Sequence, residues 1–299
     1  MAAVVTAFLI WGLFPFYWKA LQGVGAEELV AHRLVWSLGL LLPLVWSRGA
    51  GTELRAALGN RRLLLRHLVS GALLAGNWTI YVWAVHAGHV VDASLGYFLV
   101  PLLNAALGVV VLRERLPRLQ VAALLVAALG VGVSIVGFGG IPWTALGLAA
   151  TWGSYTLLRK QSPLGSLTGL ALETLLWLPL AVGLLVWWEI RGVAAFGRVG
   201  PGTTALILGT GVVTAGPLLL FAYGARMIAL TTVGLLQYIV PSVQFAIGVL
   251  VYREAFPPGR GLSFAFIWLA LVIYSWSGLR AARRSGGEAG PHGAASPKA

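Results

Sequence analysis

Residues 94–117, SLGYFLVPLLNAALGVVVLRERLP, can be laid over residues 234–257, GLLQYIVPSVQFAIGVLVYREAFP, at an offset of 140. Leu95, Val100, Pro101, Ala106, Gly108, Val109, Val111, Arg113, Glu114 and Pro117 then meet Leu235, Val240, Pro241, Ala246, Gly248, Val249, Val251, Arg253, Glu254 and Pro257. At an offset of 141, Trp11-Gly12 meets Trp152-Gly153, Lys19 meets Lys160, and Trp36 and Trp46 meet Trp177 and Trp187. Apolar stretches share identities through composition alone. A shared proline, a shared Arg-Glu pair and tryptophans in register do not follow from composition, so the chain reads as two copies of one unit.

The surrounding composition says what solvent those copies expect. Of the 299 residues, 59% are hydrophobic and only 10% are charged, against about a quarter charged in a soluble protein. Too few charges exist to cover a water-facing surface, which excludes a soluble enzyme, a disordered chain and a fibrous protein. Lys and Arg number 21 against nine Asp and Glu. Because the basic residues sit between long apolar runs, the excess reads as positive charge at the cytoplasmic ends of membrane spans rather than as a nucleic-acid surface. Cysteine is absent, which excludes disulfides, thiolate metal sites and Cys nucleophiles.

A crossing takes about 20 apolar residues. On that measure the expected spans are 2–19, 29–46, 67–87, 91–112, 119–136, 142–158, 166–187, 202–223, 229–251 and 262–279, ten helices in all. Leu119 to Leu158 runs 40 residues without a charge, and GFGGIP from Gly137 to Pro142 breaks it in two. The first span has no basic region ahead of it and begins almost inside the membrane. It reads as a retained span rather than a cleaved signal, with a few upstream residues expected to be missing from the sequence. With the N-terminus inside, cytoplasmic segments hold 15 Lys and Arg, among them Arg48, Arg66, Arg113, Arg159, Lys160 and Arg226. The outer ones hold five: Lys19, Arg191, Arg198, Arg253 and Arg260. Both termini are expected in the cytoplasm. The expected units are residues 1–138, residues 142–280 and a disordered cytoplasmic tail, 281–299.

Each unit then holds five helices. An odd number forces the second copy to enter from the opposite face, an inverted repeat, the arrangement that lets two related bundles rock about a site at mid-membrane. In the fourth helix Tyr97, Pro101, Asn104 and Gly108 share one face, and Gln237, Pro241, Gln244 and Gly248 share the corresponding face of the ninth. A proline inside a helix frees the carbonyl four residues earlier, here on Tyr97 and Gln237. The face then reads either as a polar cavity lining, or as kinks with Asn104 and Gln244 serving as glue between helices.

Charges inside spans are costly and mark function by default. Arg33 and Glu173 lie well inside apolar runs, and His32 meets Glu173 at the offset of 141. Arg33 and Glu173 are candidates for an ion pair across the cavity, Glu173 for a coupling-proton carrier, and Arg33 alternatively for snorkelling to the outer interface. Asn77, Trp78 and Tyr81 in the third span and Tyr155 in the sixth add an amide and rings suited to an amphiphilic ligand. His86, His89 and Asp92 have a metal-like spacing but fall on a short outer loop, so no metal is expected, nor any cofactor. Signatures of hydrolases, zincins and P-loops are missing. A membrane enzyme acting on lipid, the rival reading, needs a cluster of acid, base or metal ligands that the sequence does not offer.

His32-Arg33 with Trp36-Ser37, Gly76-Asn77-Trp78, Ala93 to Phe98, Arg159-Lys160, Gln237-Tyr238 and Phe264 to Trp268 together resemble the RarD family, EamA-type permeases of the drug/metabolite transporter superfamily. The resemblance runs from about residue 8 to 280. It implies an all-α integral membrane protein of ten transmembrane helices in two inverted five-helix EamA repeats. It also implies a cavity lined by helices 1–4 and 6–9, with helices 5 and 10 peripheral. The expected activity is that of a bacterial plasma-membrane permease moving a small molecule through the lipid bilayer.

Overall fold

The computed structural model describes every residue except 114, 139–140, 226, 229–232, 234–235, 257 and 288–299. Glu114, Arg226, Leu235 and Pro257 from the sequence reading therefore lie outside the described residues. The described chain is helical without a strand. Its elements are α1 (Ala2–Gly12), α2 (Phe14–Lys19), α3 (Ala26–Ser47), α4 (Gly51–Leu58), α5 (Arg61–His86), α6 (Val90–Leu112), α7 (Arg118–Phe138), α8 (Trp143–Lys160), α9 (Ser166–Ile190) and α10 (Pro201–Ala225). Then come α11 (Ile239–Ala246), continued by a π-helical turn (Ile247–Val251), and α12 (Pro258–Gly287).

Among the described residues, eight helical segments are long and apolar enough to cross a membrane: α1 with α2, α3, α5, α6, α7, α9, α10 and α12. The two other expected spans are not among these eight. Helix α8 is less apolar and closes on Arg159 and Lys160, and of the ninth expected span, 229–251, residues 229–232 and 234–235 lie outside the described residues. Two further features differ from expectation. A short helix, α4, occupies what reads as a loop in the sequence, and its Glu53 carboxylate accepts from the Gly165 amide (3.0 Å) and the Thr168 hydroxyl at the start of α9. Helix α12 continues to Gly287, past the boundary at Ala281 expected for a disordered tail.

Each helix start leaves amides without intrahelical partners, and a carboxylate there is favourable. Glu254, on the segment after the π turn, supplies one from a distance. Its two oxygens accept from Val90 and Val91 at the head of α6, each at 2.8 Å. Burial pushes the Glu254 carboxyl above the usual range, and the two amides pull it back. The contact also fixes direction. Arg253 sits at the N-terminal end of α6, whereas Arg113 caps its C-terminal end, about 34 Å away at 1.5 Å per residue.

Other contacts sort the segment ends in the same way. Lys19 donates to the Val85 carbonyl and Gln22 to that of His86, while Arg260 pairs with Asp92 at 3.6 Å. At the far end, Arg66 donates to the Gln161 carbonyl at 2.6 Å, and Glu53 meets Gly165.

The packing repeats the sequence register. Helix α3 packs on α9 and α10, α5 on α8 and α9, α1 on α10 and α11, α6 on α8 and α11, and α7 on α12. Exchanging the halves turns α3·α10 into α9·α5, and α6·α8 into α11·α1. Two close approaches obey the same exchange: a β-carbon on Gly71 would lie 2.7 Å from the Trp177 ring, and one on Gly211 would lie 2.7 Å from the Trp36 backbone. The only described non-glycine residues with left-handed backbone are the matched pair Arg113 (φ 57°) and Arg253 (φ 52°).

Outward-facing Val110, Val136, Ile190 and Leu250 are three-quarters or more exposed. Apolar side chains spread that widely over the outside of a bundle belong against hydrocarbon, not water.

Candidate functional site

A cavity of about 180 Å³ lies at the centre of the bundle. Among the described residues its walls come from α1, α2, α3, α5, α6, α8, α9, α10 and the ninth segment, with nothing from α7 or α12. Many lining residues are related by the sequence repeat. Trp11 faces it with Trp152, Phe14 with Tyr155, Leu74 with Thr214, Trp78 with Leu218, Tyr97 with Gln237, Val100 with Val240, and Pro101 with Pro241. Residues matched by the sequence register thus face the same cavity.

Of the residues singled out in the sequence, Arg33, Asn77, Trp78, Tyr81, Tyr97, Pro101, Tyr155, Gln237, Tyr238, Pro241 and Gln244 line the cavity. Asn77 is fully buried and heavily engaged. Its amide nitrogen donates to the Leu148 carbonyl (3.1 Å) and Thr151 hydroxyl (2.9 Å), and its oxygen accepts from Tyr97 at 3.2 Å. The Gln244 nitrogen donates to the Trp11 carbonyl at 3.2 Å, while its oxygen, like the Tyr81 hydroxyl, is buried with no hydrogen-bond partner among the described residues.

Three candidates lie elsewhere. Asn104 is not in the lining; its oxygen accepts from Thr156 at 2.9 Å and ties α6 to α8. His32 accepts from Trp36 Nε1 at 3.3 Å and packs on Phe196, its rings 4.9 Å apart. Glu173 lies behind the wall. It is not the partner of Arg33, so the ion pair envisaged across the cavity is not formed.

Glu173 instead collects a buried cluster. Ser70 donates to Oε1 at 2.6 Å, His67 Nδ1 lies 3.2 Å from the same oxygen, and Arg159 stands 3.7 Å away. Tyr155 donates to Oε2 at 3.3 Å, and the second His67 nitrogen meets the Ser162 hydroxyl at 2.9 Å. A chain of polar groups therefore runs from the cavity wall at Tyr155 to the α8–α9 loop. Room for Arg159 depends on Gly169, where a β-carbon would collide with the guanidinium.

Arg33 does not snorkel either, being only 5% exposed. Its Nε donates to Thr214 at 2.7 Å, and its guanidinium lies 3.7 Å above the Trp78 ring, a favourable cation–π contact.

The helix break also departs from expectation. Pro101 lies inside the continuous α6, but Pro241 is in the first turn of α11, preceded by a turn at Gln237-Tyr238. There the Gln237 carbonyl accepts from Val240 at 3.3 Å rather than standing free. Proline is well tolerated in a first helical turn, where amides lack partners anyway, so the ninth segment turns at Gln237-Tyr238 where α6 runs on as one helix.

Sequence reasoning missed Phe8, Thr214, Leu218 and His67. Thr214 and Leu218 were accessible in principle, since they match Leu74 and Trp78 at an offset of 140. His67 has no such signal, because only folding carries it to Glu173.

Comparison with known proteins places this architecture. The EamA-like transporter family model matches residues 1–136. "Protein RarD" of Streptomyces exfoliatus is 43% identical over 281 residues, covering 93% of this chain and 89% of the relative. An "Uncharacterized transporter" of Vibrio cholerae is 43% identical over 93% of this chain and 92% of its own. "Protein RarD" of Escherichia coli is 35% identical over 94% and 95%. One crystal structure, 18% identical, superposes with a TM-score of 0.58 over 91% of this chain and 95% of its own, which speaks to the fold alone. Near-complete coverage at such identities leaves one assignment: this chain belongs to the RarD family of EamA-type permeases, within the drug/metabolite transporter superfamily.

Proposed function

We propose that the protein is a secondary transporter moving a small metabolite or drug-like molecule across the bacterial plasma membrane by alternating access about the central cavity. The observation that carries this reading is the cavity lining itself: residues matched by the sequence register converge on one space walled by aromatic and aliphatic side chains with a few polar groups among them. In this reading α1 with α2 forms the first span, α8 the sixth and the interrupted segment the ninth, which makes ten crossings in two inverted repeats. Opposed placement of Arg113 and Arg253 along α6 supports the inversion. The polar chain Tyr155–Glu173–His67–Ser162 supports Glu173 as the group that carries a coupling proton.

The test is uptake by proteoliposomes of a panel of labelled amino acids, sugars and antibiotics. Gln237→Ala is expected to slow transport of the accepted substrate roughly tenfold, the value of one lost hydrogen bond in a desolvated site. Glu173→Gln is expected to abolish the response of uptake to an imposed pH gradient. Unchanged transport in both variants would remove this assignment of the site.

Membrane sidedness is testable directly because the chain contains no cysteine. Ala255→Cys is expected to react with an impermeant maleimide on intact cells, and Arg115→Cys only after permeabilisation. Labelling of both from the same side would end the inverted-repeat reading.

A further inference from the structure

We infer that the cavity selects a small monovalent organic anion, a carboxylate carried on a flat apolar body, with Arg33 as its counter-ion. This rests on reading the cavity as the transport site and names the chemistry of what occupies it. Arg33 is the only charged residue among the described lining residues. It is almost wholly buried, and its one hydrogen bond among the described residues is to a neutral hydroxyl, that of Thr214, at 2.7 Å.

No described carboxylate is in a position to neutralise it. Glu28 accepts from the Ala195 and Phe196 amides, and Glu53 from Gly165 and Thr168. Asp92 pairs with His89 and Arg260, Glu173 with Arg159, and Glu189 with Arg198. Glu254 caps α6, and Glu27 faces outward. A cation taken out of water without a counter-charge is expensive, and within a membrane protein it marks a partner for charge. The Trp78 face, 3.7 Å away, offsets part of that cost without supplying a negative charge. A guanidinium binds carboxylates well through its forked donors.

The remaining walls set the rest of the ligand. Trp11, Trp152 and Tyr97 offer ring faces and edges to an apolar body. The unpartnered Tyr81 hydroxyl is a second donor for the anionic end. One cation matches one negative charge, so a phosphate dianion would leave a charge unmatched in the same low-dielectric space.

The experiment uses the full chain in lipid nanodiscs and three probes that share a benzyl body: the isosteric pair phenylacetate and phenylacetamide, and the cation phenethylamine. Binding of tritiated phenylacetate is measured, with displacement by the other two. Wild type is expected to bind the anion at least tenfold more tightly than the neutral amide, with the cation weaker still. Arg33→Gln is expected to erase that preference by weakening the anion and leaving the amide within about twofold, and Arg33→Lys to keep part of it. If Arg33→Gln yields no folded protein, the wild-type charge series and Arg33→Lys decide.

Absence of phenylacetate binding, equal displacement by all three probes, or an anion preference that survives in Arg33→Gln would overturn the inference. Failure of the transport reading looks different: anion-selective binding in a protein that moves nothing across proteoliposomes. Flux of the uptake panel without any anion preference would be the converse, leaving transport intact and removing the anion site.

Discussion

Glu173→Ala is expected to cost about 3–5 kcal/mol of stability, the range for removing one partner from a buried ion pair. Glu173 and His67 are each about 1% exposed at the side chain, and Arg159 15%. Deleting the carboxylate leaves Arg159 without its counter-charge and strips the Ser70 and Tyr155 hydroxyls of their acceptor. An alanine also leaves a polar hole between α5, α8 and α9. Glu173→Gln keeps one acceptor oxygen and the volume, so its loss should be well short of the alanine's. Thermal denaturation in nanodiscs, followed by circular dichroism, reads both. An alanine variant that melts with wild type would show that the cluster contributes nothing to folding. The glutamine variant separates stability from the transport role, because a folded protein that no longer responds to a pH gradient has lost function alone.

Gly211→Ala carries the second large effect. Its β-carbon would fall 2.7 Å from both the carbonyl carbon and the oxygen of Trp36, and 2.9 Å from Trp36 Cβ. Two of those atoms are backbone of α3, which cannot swing aside, so α3 and α10 must separate. Overpacking of this kind costs about 1–3 kcal/mol, occasionally more. Gly71→Ala is the internal comparison. There the neighbour is the ring of Trp177, a side chain held by one hydrogen bond from Nε1 to the Leu68 carbonyl at 2.9 Å. A ring can tilt where a backbone cannot. The expected order of melting temperature is wild type, then Gly71→Ala, then Gly211→Ala, and a reversed order would contradict the packing.

These paired glycines illustrate what a periodic reading reaches. Tryptophans matched at an offset of 141 were visible in the sequence, and Trp36 and Trp177 each meet a matched glycine in space. The face of Tyr97 and Pro101 was legible because i, i+4 and i+7 spacing places residues on one side of any helix. That rule assigns a face but not what the face meets. Asn104 and Gln244 occupy equivalent positions, yet one is consumed by Thr156 on α8 and the other lines the cavity.

Composition and hydropathy alone determined that the chain is helical and belongs in lipid, and register alone matched residues 94–117 with 234–257. Those properties follow from hydrophobicity and register, which any stretch of chain carries by itself. Tertiary structure alone decided that Arg33 faces a hydroxyl and a ring instead of Glu173, that Glu173 is surrounded by His67, Ser70 and Arg159, and that Glu254 caps a helix more than 160 residues away. Electrostatic partners are set by distances of a few ångströms between different helices. Such distances depend on how the helices cross, and no single helix encodes that.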